Sequence, residues 1–144
     1  MRITFFIAFV LSLLCSNPIW ADVVNFKHFS INIPNTWSYS EEGDMVSVAA
    51  KDNSSILVFS PDKLPQGQNL KEFAAAFSKT YNGTTPSANG AGTFQFEYKN
   101  DVGAEAHVII SQADPKMDSI FLLVIVGEKH PELPYILNSV TMTD

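Results

Sequence analysis

Residues 29–37 read FSINIPNTW, an alternating apolar–polar run that ends at a proline and is followed three residues later by a tryptophan. Phe29 and Ile31 share one face, because successive side chains of a strand point to opposite sides. Pro34 has no N–H and biases the residue before it toward an extended conformation, so the strand is expected to end there. We predict that Trp37 then folds back over the end of the sheet as a buried anchor, not as a ligand contact.

Five further segments have the pattern of strands. Residues 45–50 and 55–59 are separated by the turn-forming sequence KDNS, and the second is apolar on both faces, which is typical of a strand inside a covered sheet. Residues 93–99 alternate strictly, and a two-residue Asn-Asp turn is expected to join them to a strand at 102–111. Residues 119–126, SIFLLVIV, predict a buried strand that a glycine ends.

Two segments have helical periodicity. Apolar side chains in residues 70–81 recur at the spacing of one buried stripe, and Asn69 with Glu72 predicts a capping box at the start of this helix. The final segment places two prolines in a first helical turn, where proline is tolerated. The expected docking side chains are Leu70, Phe73, Ala74, Phe77 and Tyr81 in the first helix and Leu133, Ile136, Leu137 and Val140 in the second, which follows Pro131 and includes Pro134.

The order of these segments predicts an α+β fold. The strands come in adjacent hairpins and not in strand–helix–strand units, so the sheet is expected to be mostly antiparallel. We therefore expect a central, mostly antiparallel sheet of about six strands sandwiched by helices. A single domain at 22–144 is expected to contain all of these segments, because this length suits one hydrophobic core.

The first 21 residues have the features of a secretory signal peptide: a basic start at Arg2, a short apolar run and a small residue, Ala21, at the expected cut. Cleavage after Ala21 predicts a periplasmic or secreted protein. An uncleaved anchor is disfavoured because the apolar run is too short to span a bilayer. A lipoprotein anchored through Cys15 is disfavoured because the bulky Leu14 precedes the cysteine. No transmembrane segment is expected in the mature chain.

Cleavage would leave an acidic protein without cysteine. The full chain has nine basic and fifteen acidic residues, so removal of Arg2 leaves eight basic residues and a formal charge of −7. This charge disfavours nucleic acid and anionic membranes as partners, because both bind clusters of lysine and arginine. Cys15 is the only cysteine in the sequence, so the mature chain could form no disulfide and no thiolate metal site.

No spacing of residues predicts a catalytic, metal or cofactor site. His28, His107 and His130 are far apart and form no pattern with acidic residues. The serines occupy no nucleophile motif and the glycines form no phosphate-binding loop. Two acidic segments, EEGD at 41–44 and DPKMD at 114–118, are interpreted as solvated turns, since the first lacks the pattern of an EF-hand calcium loop.

Aromatic residues make up 12% of the chain, and six of them fall on the predicted helix and hairpin. We interpret these six as core; they are Phe73, Phe77, Tyr81, Phe94, Phe96 and Tyr98. The alternative is that part of the sheet face is open and forms an apolar groove for a partner segment or ligand. Such a groove could also lie beside residues 82–92, NGTTPSANGAG, which predict a mobile surface loop.

The mature sequence resembles the PsbP-like superfamily, which includes Mog-type and DcrB-like proteins. Its sharpest point of similarity is the turn from Ile33-Pro34 to Trp37 at the end of the opening strand, and the later segments SILVF, NLKEFAAAF, FLLVIV and ILNSV follow the same layout. The small exported bacterial DcrB-like proteins form a branch that this chain resembles in size and expected location. The resemblance implies an antiparallel sheet sandwiched between helices and a role in binding or assembly without catalysis.

From these observations we expect a non-enzymatic, exported binding or assembly factor. Its partner is expected to be another protein of the cell envelope, held through an apolar sheet or groove surface, with no cofactor and no nucleic acid. The alternative hypothesis is a small-ligand carrier or minor hydrolase-like enzyme with a pocket between helix and sheet. The sequence alone identifies neither the partner-binding residues nor the oligomeric state.

Overall fold

A computed structural model of the protein describes residues 20–127 and 129–143, so most of the predicted signal peptide lies outside the described residues. Within these ranges, ten strands and two helices follow one another along the chain. The strands are β1 (Ala21–Asn25), β2 (Phe29–Pro34), β3 (Trp37–Glu42), β4 (Met45–Ala50), β5 (Ile56–Lys63), β6 (Ser87–Ala88), β7 (Thr93–Lys99), β8 (Glu105–Ser111), β9 (Ser119–Val126) and β10 (Thr141–Met142). The helices are α1 (Leu70–Thr80) and α2 (Leu133–Asn138).

Seven strands form the main sheet in the order β3-β4-β5-β9-β8-β7-β6, and every pairing is antiparallel. The predicted hairpin of two strands around KDNS is confirmed as β4–β5, and the predicted buried strand is confirmed as β9. β9 crosses to lie between β5 and β8, which puts the most apolar sequence of the chain in the interior of the sheet.

The remaining three strands form a small sheet in the order β1-β2-β10. The alternation of FSINIP puts Phe29, Ile31 and Ile33 on the side that faces the main sheet, where all three are buried. Pro34 ends β2, as predicted, and the chain then crosses from the small sheet to the main sheet to begin β3 at Trp37.

The hydrophobic core has two parts, one on each side of the main sheet. The larger part lies between the main sheet and the layer formed by the small sheet and α2, and it includes Phe29, Trp37 and Phe59. The smaller part lies under α1 and includes Ala74 and Phe96. The main sheet is therefore covered by a sheet with a short helix on one side and by a single helix on the other.

The predicted sandwich of one sheet between helices is wrong, because the described structure is mostly β, with two antiparallel sheets and two helices of 11 and 6 residues. The strand that ends at Pro34 pairs with β1 in a hairpin, and this hairpin supplies a second sheet where a helical layer was expected. β3 was also missed because its sequence, WSYSEE, lacks an apolar face beyond its first residue.

Two local predictions also need correction. The turn between β7 and β8 spans residues 100–104 and is not the two-residue turn expected, because Lys99 pairs with Glu105 and the Asn100 side chain accepts hydrogen bonds from two N–H groups within the turn. Residues 82–92 are not a free loop, since Ser87 and Ala88 pair with β7 as the short strand β6. The capping box of Asn69 and Glu72 at the start of α1 is confirmed.

Candidate partner-binding surface

The part of the main sheet formed by β3, β4 and β5 is packed against other parts of the protein on only one of its two sides. On β4 and β5 the side chains of Val46, Val48 and Leu57, which point toward the small sheet, are at most 3% exposed. On the other side of the same strands the side chains are half-buried or exposed, and Ile56 is 40% exposed. We call this surface the open face; its uncharged residues are Ser38, Ser40, Met45, Ser47, Ala49, Ile56, Val58 and Ser60, and Glu42 lies at its rim opposite Met45.

The pairing of the strands arranges the open face in continuous rows. In one row Ser40 lies opposite Ser47, Ser47 opposite Val58, and Val58 opposite Val124 of β9. The neighbouring row contains Ser38, Ala49, Ile56 and Val126. These side chains are small or β-branched and carry no charge, so the surface is shallow and can be dehydrated at low cost by an apolar partner.

The width of α1 explains why the open face is left uncovered. A helix with its side chains is about 10 Å across and neighbouring strands lie about 4.8 Å apart, so one helix covers two or three strands. The cluster under α1 draws its sheet residues from β7, β8 and β9, and within the described part of the chain it includes none from β3, β4 or β5. The side of the sheet away from the small sheet is therefore covered at one end and open at the other.

The interpretation of the six aromatic side chains as core is confirmed for Phe96 and only in part for the others, since Phe73, Phe77, Phe94 and Tyr98 are partly buried against the cluster under α1. Phe96 is 2% exposed, and the rings of Phe73 and Phe77 stack 5.8 Å apart on α1 above the sheet. Tyr81 is 44% exposed at the end of the helix, where its ring lies 5.1 Å from that of Tyr98. Burial raises the pKa of Tyr98, and the nearby Tyr81 raises it further. The open face lies beyond this aromatic cluster and not within it.

Trp37 is buried, as predicted, at 3% exposure, and it joins the main sheet to the last segment of the chain. Its indole Nε1–H donates to Glu132 Oε2 at 2.8 Å, and the Thr36 hydroxyl donates to the same oxygen at 2.5 Å. The ring of His130 packs edge-on against the indole with centroids 4.7 Å apart, and its Nδ1 accepts a hydrogen bond from the Glu132 N–H. Glu132 was missed because its partners lie 95 and 96 residues earlier.

A cleft of about 730 Å³ lies at the end of the sheet beyond this network. Its charged lining residues are Asp52, Glu97, Glu105, Lys129 and His130. Ser54 donates from its hydroxyl and its N–H to Asp52 Oδ1, at 2.5 and 2.9 Å, and these bonds hold the pKa of Asp52 below its ordinary value. The serine hydroxyl is thus engaged by the carboxylate in a local turn, an arrangement that does not prepare it as a nucleophile.

The other two histidines and the EEGD turn make contacts with neighbouring side chains. His107 lies on β8 with Nε2 3.3 Å from Gln95 Oε1. In the EEGD turn, Lys27 donates to both carboxylate oxygens of Asp44, at 3.0 and 3.1 Å, and this contact lowers the pKa of Asp44. His28 Nε2 lies 3.6 Å from the same carboxylate. Within the described ranges no three His, Cys, Asp or Glu side chains are grouped so that they could hold a metal ion.

The segment at 82–92 is held against β7. Thr84 exchanges two hydrogen bonds with the backbone of Glu97, which ties this segment to β7. A cleft of about 830 Å³ beside the start of α1 touches the segment only at Gly92, and its lining includes Lys71 and Lys116. A small apolar cavity between α2 and the main sheet has a volume of about 20 Å³, which is room for about one water molecule.

No family model matches the chain, and no curated protein matches it at a significant level. The resemblance to the PsbP-like superfamily therefore stays a prediction. In the part of the chain that the structure describes, no helix is long and apolar enough to cross a membrane.

Proposed function

We propose that the protein is an exported, non-enzymatic binding or assembly factor that holds a segment of another envelope protein on its open face. The observation that carries this proposal is the difference between the two sides of β4 and β5. The same strands bury Val48 and Leu57 completely on one side and leave Ile56 and Val58 partly exposed on the other. A contiguous surface of mostly uncharged side chains that the fold leaves half-covered is typical of a docking site.

The resemblance to a superfamily of binding and assembly proteins supports the same role. The signal-peptide features of the first 21 residues support an envelope location, and the charge of −7 that cleavage after Ala21 would leave disfavours nucleic acid and anionic membranes as partners. The alternative role, a carrier or hydrolase with a pocket between helix and sheet, receives no support from a specific observation. The aromatic side chains of α1 pack directly on the sheet, and the cavity under α2 is too small for a metabolite.

The proposal can be tested by site-specific photo-crosslinking in the cells that produce the protein. A photoreactive amino acid at Val58 is expected to capture one discrete envelope protein, whereas the same group at Asp101, in the exposed turn after β7, is expected to capture none. A second substitution, Ala49→Asp, places a charge on the open face next to the probe and is expected to reduce capture about tenfold.

The folded state of each variant must be verified by circular dichroism, because a charge on a half-buried strand also lowers stability. Equal capture from Val58 and Asp101, or full capture in folded Ala49→Asp protein, would contradict the proposal.

A further inference from the structure

The two edges of the main sheet are unequally protected. At one edge β6 is only two residues long, and the hydrogen bonds of Thr84 to Glu97 tie the preceding segment to β7. At the other edge β3 is a regular strand of six residues, of which all but Trp37 are exposed. Within the described ranges, β3 pairs only with β4. A strand of this length at a sheet edge presents a row of backbone groups that another strand can pair with.

The register of β3 shows which backbone groups point outward. The N–H of Lys51 donates to the carbonyl of Thr36 at 2.9 Å, so this pair is hydrogen-bonded across the β3–β4 ladder. Hydrogen-bonded pairs recur every second residue of an antiparallel ladder, which assigns Ser38 and Ser40 to the inner side. The N–H and C=O groups of Tyr39 and Glu41 therefore point away from β4, toward the free edge.

The charges along this edge are acidic at both ends. Glu41 and Glu42 are exposed at the end of β3, whereas the nearby Asp44 is already paired with Lys27. At the start of β3 the carboxylate of Glu132 is held by Thr36 and Trp37. A second copy of this chain, paired antiparallel along β3, would bring its own Glu41 and Glu42 toward the first copy's Glu132, so like charges oppose self-association at this edge.

We propose that the β3 edge binds an extended, basic segment of a partner protein, which adds antiparallel to the main sheet as an eighth strand. The backbone groups of Tyr39 and Glu41 would form the new ladder, and two consecutive basic side chains of the segment would lie opposite Glu41 and Glu42. The exposed ring of Tyr39, which is 49% exposed and packs on one side against Phe26, would cover an aliphatic side chain two positions farther along the segment.

The test uses a labelled peptide of sequence Ser-Lys-Lys-Thr-Val-Thr and its counterpart with glutamate in place of lysine. The lysine peptide is expected to bind, with an affinity that falls as salt rises, and the glutamate peptide is expected not to bind. Hydrogen exchange supplies a readout specific to the geometry. The amides of Tyr39 and Glu41 are expected to slow on binding, whereas those of Ser38 and Ser40 are protected before and after.

Two variants separate the edge from general charge effects. The double variant Glu41→Lys with Glu42→Lys is expected to lower the affinity for the lysine peptide about tenfold or more. The control variant Glu97→Lys with Asp101→Lys makes the same change in net charge on the β7–β8 hairpin and is expected to leave this affinity unchanged. Tyr39→Pro removes an N–H that points away from β4, so the fold is expected to survive while strand addition fails.

Three results would overturn the inference. Equal weakening by both double variants would mean that only net charge matters. Binding without slower exchange at Tyr39 and Glu41 would place the peptide elsewhere, and no binding at low salt would mean that the two glutamates serve only to keep this edge unpaired. The inference rests on the proposed binding role but uses a different surface. Ala49→Asp is therefore expected to reduce capture at the open face about tenfold and to leave the peptide bound.

Discussion

Truncation of Trp37 should destabilise the protein more than any other change on β3. Burying an aromatic side chain of this size removes about 200 Å² from water, and at about 25 cal/mol/Å² this corresponds to an upper estimate of about 5 kcal/mol. Large-to-small substitutions in cores cost about 3–5 kcal/mol, and we expect Trp37→Ala to fall in this range. Trp37→Phe keeps most of the ring but removes the donor to Glu132, so we expect about 2 kcal/mol.

The assay is urea unfolding followed by far-ultraviolet circular dichroism, since fluorescence would lose its reporter with the indole. Tyr39→Ala is the matched control, because Tyr39 lies on the same side of the same strand but is 49% exposed, and we expect a loss below about 1 kcal/mol. If Trp37→Ala cost no more than Tyr39→Ala, Trp37 would not be an anchor between the sheet and the last segment. The stabilisation that we assign to the contacts of Trp37 would then be wrong.

Three further predictions concern single contacts. Gly127→Ala should lower the free energy of unfolding by at least about 2 kcal/mol in urea titrations, because the residue has a φ of +76° and a Cβ there would overlap the carbonyl oxygen of Ser54; a neutral result would contradict the geometry of this turn. Asn69→Ala should cost about 1 kcal/mol through loss of the N-cap of α1, with Lys71→Ala as the control that should leave the melting temperature unchanged. The hydrogen bond from Lys27 lowers the pKa of Asp44. The contribution of this pair to stability is therefore present above the ordinary pKa of 3.8 and is lost as the pH falls below it. Asp44→Asn should remove this pH dependence of stability, and a dependence that persists in the variant would assign it to another group.

The parts of the fold that were predicted correctly are those with strong local signals. The i, i+3, i+4 stripe and the capping box place α1, and the long apolar run places β9 in the interior of the sheet. The burial of Trp37 follows from its position after the proline that ends β2. The polar strand β3 and the two-residue strands β6 and β10 have no such signal, because their conformation depends on pairing with a neighbour and not on their own side chains.

The open face could not be located from sequence for a related reason. The apolar run SILVF predicts a strand covered on both faces, and periodicity alone does not state whether a helix of the same chain or a partner provides the cover. The answer depends on where α1 docks, and α1 lies over β7, β8 and β9 because the aromatic side chains of β7 are there. The strands β3 to β5 are then left with one uncovered side.

The sequence by itself determined the position and end of the strand FSINIP, the buried role of Trp37, and the limits of α1 and β9, because each depends on residues close together in the chain. Only the tertiary structure decided that β1 and β2 form a second layer outside the main sheet, and that Glu132 accepts a hydrogen bond from the indole of Trp37. It also decided that one face and one edge of the main sheet lack a covering element among the described residues. These features arise from contacts between residues far apart in sequence, whose energies depend on which surfaces meet and not on local pattern.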